Sequence, residues 1–590
     1  MSFVPSVPLC FDGLAAVLTR PAPEVPCRGA VLLCRPWGFD ELCSRKFYRV
    51  LAETLAERGL ASLRFDYPDT VDSLDTPEGS GLDDWTAAAN RAGDALKRST
   101  GVDRIALFGL GVGAVVARNA AQTRKDISAI VLAAPVTSGR RYLRETDLRA
   151  KVLYERLNIQ PEGLPRTKYS IAGIALPDPL ATDLALVKPA GPGLPGGVPA
   201  LLCLRPDLDS DTAFAEHLRG DTPGLEVTEF GGYEDLMIDP LRSKVPEASI
   251  AEIANWLGNT LAPPGAVTGA VTGASENPAD MTALAGNGFT ETAAYFGPAS
   301  KQLFAVSSSP EEARAGRPVF LFGNTGGYDH HGGWARSWVK ICRSLARGGA
   351  ETVRFDMANV GDSPPKDGIA SEILYSDGPV ADFGDAVDWL DAHHDGPLTL
   401  VGRCSSSHAA LHAARFSRAI SRVVLCNPLV YIWDPDEVVD VNRLGFRTAE
   451  AYRKKMTDPR TLKRLVTGDI NIRSVLRGMT KLGGMKLASV LSKVLPRLTK
   501  HGRFKLQALE IFAELRDRGI PVHFFCSAGD GSLELLEFHF GQDLSGLKAY
   551  PNMSVFTVEN ADHNLTPEPA QKVLEAFLGD LVGQDLAKAK

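Results

Sequence analysis

The chain has 590 residues, more than one ordinary hydrophobic core holds, and its 44% hydrophobic and 23% charged residues are the balance of a soluble globular protein with several domains. A net charge of -7 argues against general nucleic-acid binding, and no apolar run reaches the roughly 20 residues of a membrane helix. The start, MSFVPSVPLCFDG, lacks a secretory pattern, and the nine cysteines lie mostly in apolar strand-like runs without metal-type spacing, so a cytoplasmic protein with reduced thiols is expected.

The same order of elements occurs twice. DGLAAVLTRP and RGAVLLC open the first half as a strand pair; KQLFAVSSSP and RPVFLF open the second. A glycine-bearing loop follows, RPWGFDE or GNTGGYDH, then an amphipathic helix, FYRVLAETLAERG or WVKICRSLARGG. SLRFDYPDTVDS (62–73) is answered by TVRFDMANVGDS (352–363). After another helix, RIALFGLGVGA lies over LTLVGRCSSS, and SAIVLAAPV over SRVVLCNPL. Alternating apolar strands and helices predict a mostly parallel sheet covered on both faces, and the recurrence predicts an internal duplication. Residues 262–286, rich in Gly, Pro, Ala and Thr, read as a flexible linker between a 1–261 unit and a 287–590 unit.

A strand ending in Gly-x-nucleophile-x-small, followed at once by a helix, lifts the nucleophile above a sheet beside a helix N-terminus. In the second half this turn is Gly402-Arg403-Cys404-Ser405-Ser406, and Cys404 takes the nucleophile position. Ser405 and Ser406 are the alternatives there. In the first half the turn is Gly109-Leu110-Gly111-Val112-Gly113, and Gly111 has nothing with which to attack. His563 in FTVENADHNLTP supplies a base and Asp530, after IPVHFFCSAG, an orienting acid, with Asp434 or Asp436 as alternative acids. Glu234 falls at the histidine place of the first half, whose acid is not fixed between Asp207 and Asp209. The N–H of Ser405 is the expected oxyanion donor, with a second around Thr325 or Gly326. Asp329, His330 and His331 lack further ligands at metal spacing, so no metal is expected, and no cofactor; His408, one helical turn past Cys404, reads as packing or solvent-facing.

These residues resemble the α/β-hydrolase superfamily, once per half. GNTGGYDHHGG, VRFDMANVGDS, YSDGPVADFGDAVDWL and VGRCSSS, with APVTSGRRYLRE in the first half, are similar to bacterial serine-aminopeptidase S33-type and exopolysaccharide-associated hydrolases. The resemblance implies two tandem α/β-hydrolase domains: a degenerate first and an active second with a Cys404–His563–Asp530 triad. The reaction implied is cleavage of an ester or thioester through an acyl-Cys404. Transfer of the acyl group to an envelope-polysaccharide acceptor is the alternative, and a non-enzymatic binding or scaffold protein the rival. An insertion at about 431–505, with basic residues from Arg453 to Lys486, is expected to form a helical lid; a shorter one at about 138–195 carries Arg140, Arg141 and Arg144. The expected partner is a small-molecule or carrier-bound acyl substrate; oligomeric state is left open.

Overall fold

In the computed structural model, the described residues are 6–157, 159, 163–165, 167–188, 193–206, 208–261, 281–298, 302–312, 314–324, 329–366, 375–434 and 499–588. Runs such as Gly29–Cys34 and Val319–Gly323 are apolar because both faces of their strands are covered. Side chains alternate between the faces. Leu321, Leu400 and Phe524 join one core cluster of the second sheet, while Phe320, Phe322, Val401 and Phe525 join another.

The first sheet has the strand order Ser6–Phe11, Leu14–Thr19, Leu60–Phe65, Gly29–Cys34, Ile105–Leu110, Ile127–Ala133, Ala200–Leu204, Leu225–Glu229. The second runs Leu284–Gly286, Phe289–Phe296, Leu303–Pro310, Glu351–Phe355, Val319–Gly323, Leu398–Arg403, Ile420–Cys426, Val522–Ser527, Met553–Val558. In both, the leading strands pair antiparallel and the rest parallel. Apart from Leu284–Gly286, the two orders are the same.

The match extends to side chains. Ser73 Oγ donates to Asp66 O at 2.6 Å and accepts from Ala15 N at 3.0 Å. Ser363 Oγ donates to Asp356 O at 2.7 Å and accepts from Phe304 N at 2.8 Å. The repeated RFD…DS motif therefore does the same work twice: its serine ties the strand end to the neighbouring antiparallel strand.

Two expectations are corrected. Residues 284–286, assigned to the linker by composition, form a strand, because Leu284 is buried and the Gly288 turn (φ 78) folds it onto Phe289–Glu291. Residues 500–505, assigned to the insertion, open the helix Lys500–Asp517, which Thr499 caps. The rest of the expected linker, up to 280, and residues 435–498 of the expected lid lie outside the described residues. The first helix, Phe39–Glu57, starts well before FYRVLAETLAERG: Gly38 at φ 66 turns the chain, and the added turns bury Glu41 and Arg45 against the other half.

Candidate active site

The strand Leu398–Arg403 runs straight into the helix Ser405–Phe416, and Cys404 makes the turn at φ 57, ψ −120. Gly111 makes the corresponding turn at φ 60, ψ −120. A residue with a side chain is strained there by about 1–3 kcal/mol. Both turns are anchored alike, Cys404 N to Cys426 O at 2.9 Å and Gly111 N to Ala133 O at 3.1 Å. The turn is so tight that a Cβ on Gly402 would lie 2.4 Å from Ser406 O.

Cys404 is 7% exposed, and its sulfur interacts with the imidazole of His563. On its other side His563 Nδ1 donates to Asp530 Oδ2 at 2.9 Å. Burial opposes charging of this imidazole, but the Asp530 carboxylate and the Cys404 sulfur outweigh it and raise the group to about 10. Burial pushes Asp530 up, yet the charge of His563 and hydrogen bonds from His563 and Ser532 bring it below its usual value. The structure thus brings Cys404, His563 and Asp530 together. It spends the alternatives elsewhere: Ser406 Oγ accepts from Arg403 N at 2.7 Å and donates to Arg403 O at 2.9 Å, and Asp434 pairs with Lys500. Asp436 lies outside the described residues.

Ser405 is the first residue of its helix, so its N–H is one of the donors the helix leaves unused. Thr325 and Gly326 lie outside the described residues, so no position is given for a second donor from that loop. His330 and His331 are committed to the other half. His330 Nε2 is 3.3 Å from Glu41 Oε2, and His331 is bonded to Asp72 at 2.6 Å and Asp356 at 2.9 Å. The ligand atoms of His331, Asp356 and Asp362 lie within 4.8 Å of one another, but the first two bond each other, and Arg45 and Arg64 hold Asp362. His408 packs rather than facing solvent: burial and His412 push it down to about 3, and its ring meets Tyr375 edge-on at 5.6 Å.

Three residues near the site were missed. The buried Tyr375 hydroxyl faces the Cys404 sulfur and has no other hydrogen-bond partner among the described residues. Arg403, fully buried, stacks over Trp338 at 4.7 Å and donates to Asn564 O at 2.8 Å, tying the histidine loop to the turn. Asn427 donates to His563 O at 2.8 Å and accepts from Ser527 N at 2.7 Å, joining the acid-bearing and histidine-bearing segments. Laying the halves over each other would have found Asn427, since SRVVLCNPL places it over Ala134.

The same comparison sets other residues at these positions in the first half. By strand pairing and helix start, Leu208 caps its helix where Asp530 caps the helix Gly531–Phe540. Glu234 is exposed on the helix Tyr233–Met237, Asp209 begins the helix Asp209–Asp221, and Asp207 lies outside the described residues.

Residues 326–576 match the Alpha/beta hydrolase family. No curated protein matches the chain. Among solved structures, a fungal esterase from Rhizomucor miehei is 15% identical over 51% of this chain and 85% of its own, with a TM-score of 0.32. Est1E from Butyrivibrio proteoclasticus is 11% identical over 50% of this chain and 99% of its own, with a TM-score of 0.29. An esterase of Pyrococcus furiosus is 13% identical over 50% and 91%, with a TM-score of 0.31. No described helix is long and apolar enough to cross a membrane. The family match covers residues 326–576, so the C-terminal half, with its sheet and strand-to-helix turn, is similar to the alpha/beta hydrolases, and this supports a hydrolase enzyme.

Proposed function

We propose that the protein hydrolyses an ester or thioester through an acyl-Cys404 intermediate formed in its C-terminal half, residues 287–590. The observation that carries this reading is Cys404 on the strained turn, in contact with an imidazole that Asp530 orients at 2.9 Å. A protonated imidazole beside a cysteine favours the thiolate, the nucleophilic form. The sulfur attacks the carbonyl carbon, and the bond to the alcohol or thiol leaving group breaks as that group takes the proton from His563. Water then attacks the thioester, gives a proton to His563, and the acid leaves as the C–S bond breaks. The Ser405 N–H supports the oxyanion; losing such a donor costs about 2.7–4 kcal/mol of transition-state stabilisation.

The N-terminal half, residues 1–261, is on this reading a degenerate copy of the same domain. Its equal strand order, equal turn geometry and equal serine ties support common descent. Gly111, Leu208 and Glu234 leave it without the three chemical groups. The substrate is a small or carrier-bound acyl compound.

Mass spectrometry after brief exposure to an activated p-nitrophenyl ester tests the reading. An acyl adduct on the peptide containing Cys404, absent in Cys404→Ala, is expected. An adduct on a serine, or turnover undiminished in Cys404→Ala, would overturn it.

A further inference from the structure

The loops that frame Cys404 and His563 are both held from the other half. The first, Asp329–Arg336, follows the central strand Val319–Gly323. His331 in it is clamped between Asp356 of its own half and Asp72 of the N-terminal half. Arg336 Nε donates to Val71 O at 2.6 Å and Nη2 to Ser73 O at 2.8 Å. Trp334 and Ala335 are buried within the N-terminal hydrophobic core.

The second loop carries His563 and continues through Thr566. Against it lies a hairpin of the N-terminal half, Ser170–Ile171 paired with Ile174–Ala175 and turning at Ala172 (φ 53) and Gly173 (φ 76). Ala172 is fully buried. A Cβ on Gly173 would stand 2.8 Å from Ala335 Cβ, 2.8 Å from Thr566 Cγ2 and 3.1 Å from Thr566 O. The tip therefore touches both loops at once. Tyr154 steadies it, its hydroxyl 3.1 Å from Ser170 Oγ and accepting from Gly173 N at 3.3 Å. On their far side both loops meet Arg403, which reaches Asn564 O at 2.8 Å, Ser337 Oγ at 3.3 Å and Asp329 at 3.8 Å, one residue from the nucleophile position.

We propose that the N-terminal half is a positioning element of the site in the C-terminal half, acting through Asp72 on the loop Asp329–Arg336 and through the Ala172–Gly173 tip on that loop and the histidine loop. This rests on the reading of Cys404 and His563 as the reacting pair. The contacts leave no slack, and a displacement of about 1 Å in a reacting geometry can cost 10²-fold in rate.

The test uses the full chain and an activated p-nitrophenyl ester. Gly173→Ala is the probe, and Gly197→Ala the control: Gly197 has φ +78, like Gly173, but nothing within 4 Å of its Cβ position. Gly173→Ala should lower kcat about 10-fold to 100-fold with KM within about twofold, and slow iodoacetamide modification of Cys404; Gly197→Ala should change neither. Asp72→Asn, which keeps the side-chain shape, should repeat the kcat loss and serves as the probe if Gly173→Ala does not fold. Wild-type kcat in the folded probes, or equal losses in probe and control, overturns the inference. Cys404→Ala run alongside separates the two claims: turnover retained there sinks the nucleophile assignment, while a dead Cys404→Ala with fully active probes sinks only the positioning role.

Discussion

Arg64 of the N-terminal half bonds Asp362 of the C-terminal half at 2.6 Å, and its counterpart Arg354 bonds Asp72 at 3.0 Å. The RFD…DS motif thus exchanges partners across the seam: the arginine of each copy finds the last aspartate of the other. Arg45 joins Asp362 at 2.8 Å, and Arg343 donates to Asp72 O at 2.6 Å. Removing one member of a buried pair leaves the other charge uncompensated, at a cost of about 3–5 kcal/mol. Arg64→Met should accordingly lower stability by that order, read as an earlier midpoint in urea. An unchanged midpoint would mean that the seam carries little of the stability.

The seam also predicts a response to alkali. Burial opposes protonation of His331, but Asp72 and Asp356 raise it to about 10 from an ordinary 6.5. A raised group contributes stability that is complete below its unfolded value and is lost as pH climbs through its folded one. Thermal midpoints should fall between about pH 7 and 10, and less steeply in His331→Gln. Identical slopes in the two proteins would remove His331 as the cause.

His563→Ala should slow turnover about 10²- to 10⁴-fold, the usual worth of a general base, and should also slow iodoacetamide modification of Cys404. Because Asp530 and the sulfur hold His563 up to about 10, the imidazole stays charged through neutral pH, and the pH profile of modification should differ between wild type and variant. Overlapping pH profiles would show that the imidazole does not act on the sulfur.

Tyr375→Phe separates stability from activity. Among the described residues the buried hydroxyl has no partner but the sulfur, so its loss should leave the thermal midpoint unchanged or raise it. Turnover should drop by about tenfold as the charged sulfur or oxyanion loses a donor. Full activity in this variant would leave Tyr375 a packing residue.

Asn427→Ala converts the residue to its first-half counterpart. It removes the bonds to His563 O and Ser527 N and should lower stability by about 1–3 kcal/mol, together with turnover. Stability lost with turnover intact would confine Asn427 to folding.

Much of the architecture was legible because it is written in local patterns. Buried strands are short apolar runs, and the turn at Cys404 needs small neighbours at fixed spacing, so Gly402, Cys404 and Ser406 stand out in one line of sequence. His563 and Asp530 follow strands whose apolar character marks their ends. Tyr375 and Arg403 were not legible in this way. Tyr375 reaches the sulfur from a segment preceding a helix, and Arg403 ends a strand buried on both faces, where an arginine is not expected; packing against Trp338 and contacts with the Asn564 carbonyl, Ser337 and Asp329 keep it inside. The histidine pair after GNTGGYD was legible as residues but not as a seam, because its partners Glu41 and Asp72 lie far away in the chain. The strand at 284–286 was hidden by composition: three residues in a Gly- and Ala-rich run show no period until a neighbour pairs with them.

Trp334 and Ala335 belong by chain order to one half and by burial to the core of the other. The border drawn along the chain and the border drawn by packing therefore run in different places. A fragment cut between the halves would carry a plug without its socket or a socket without its plug.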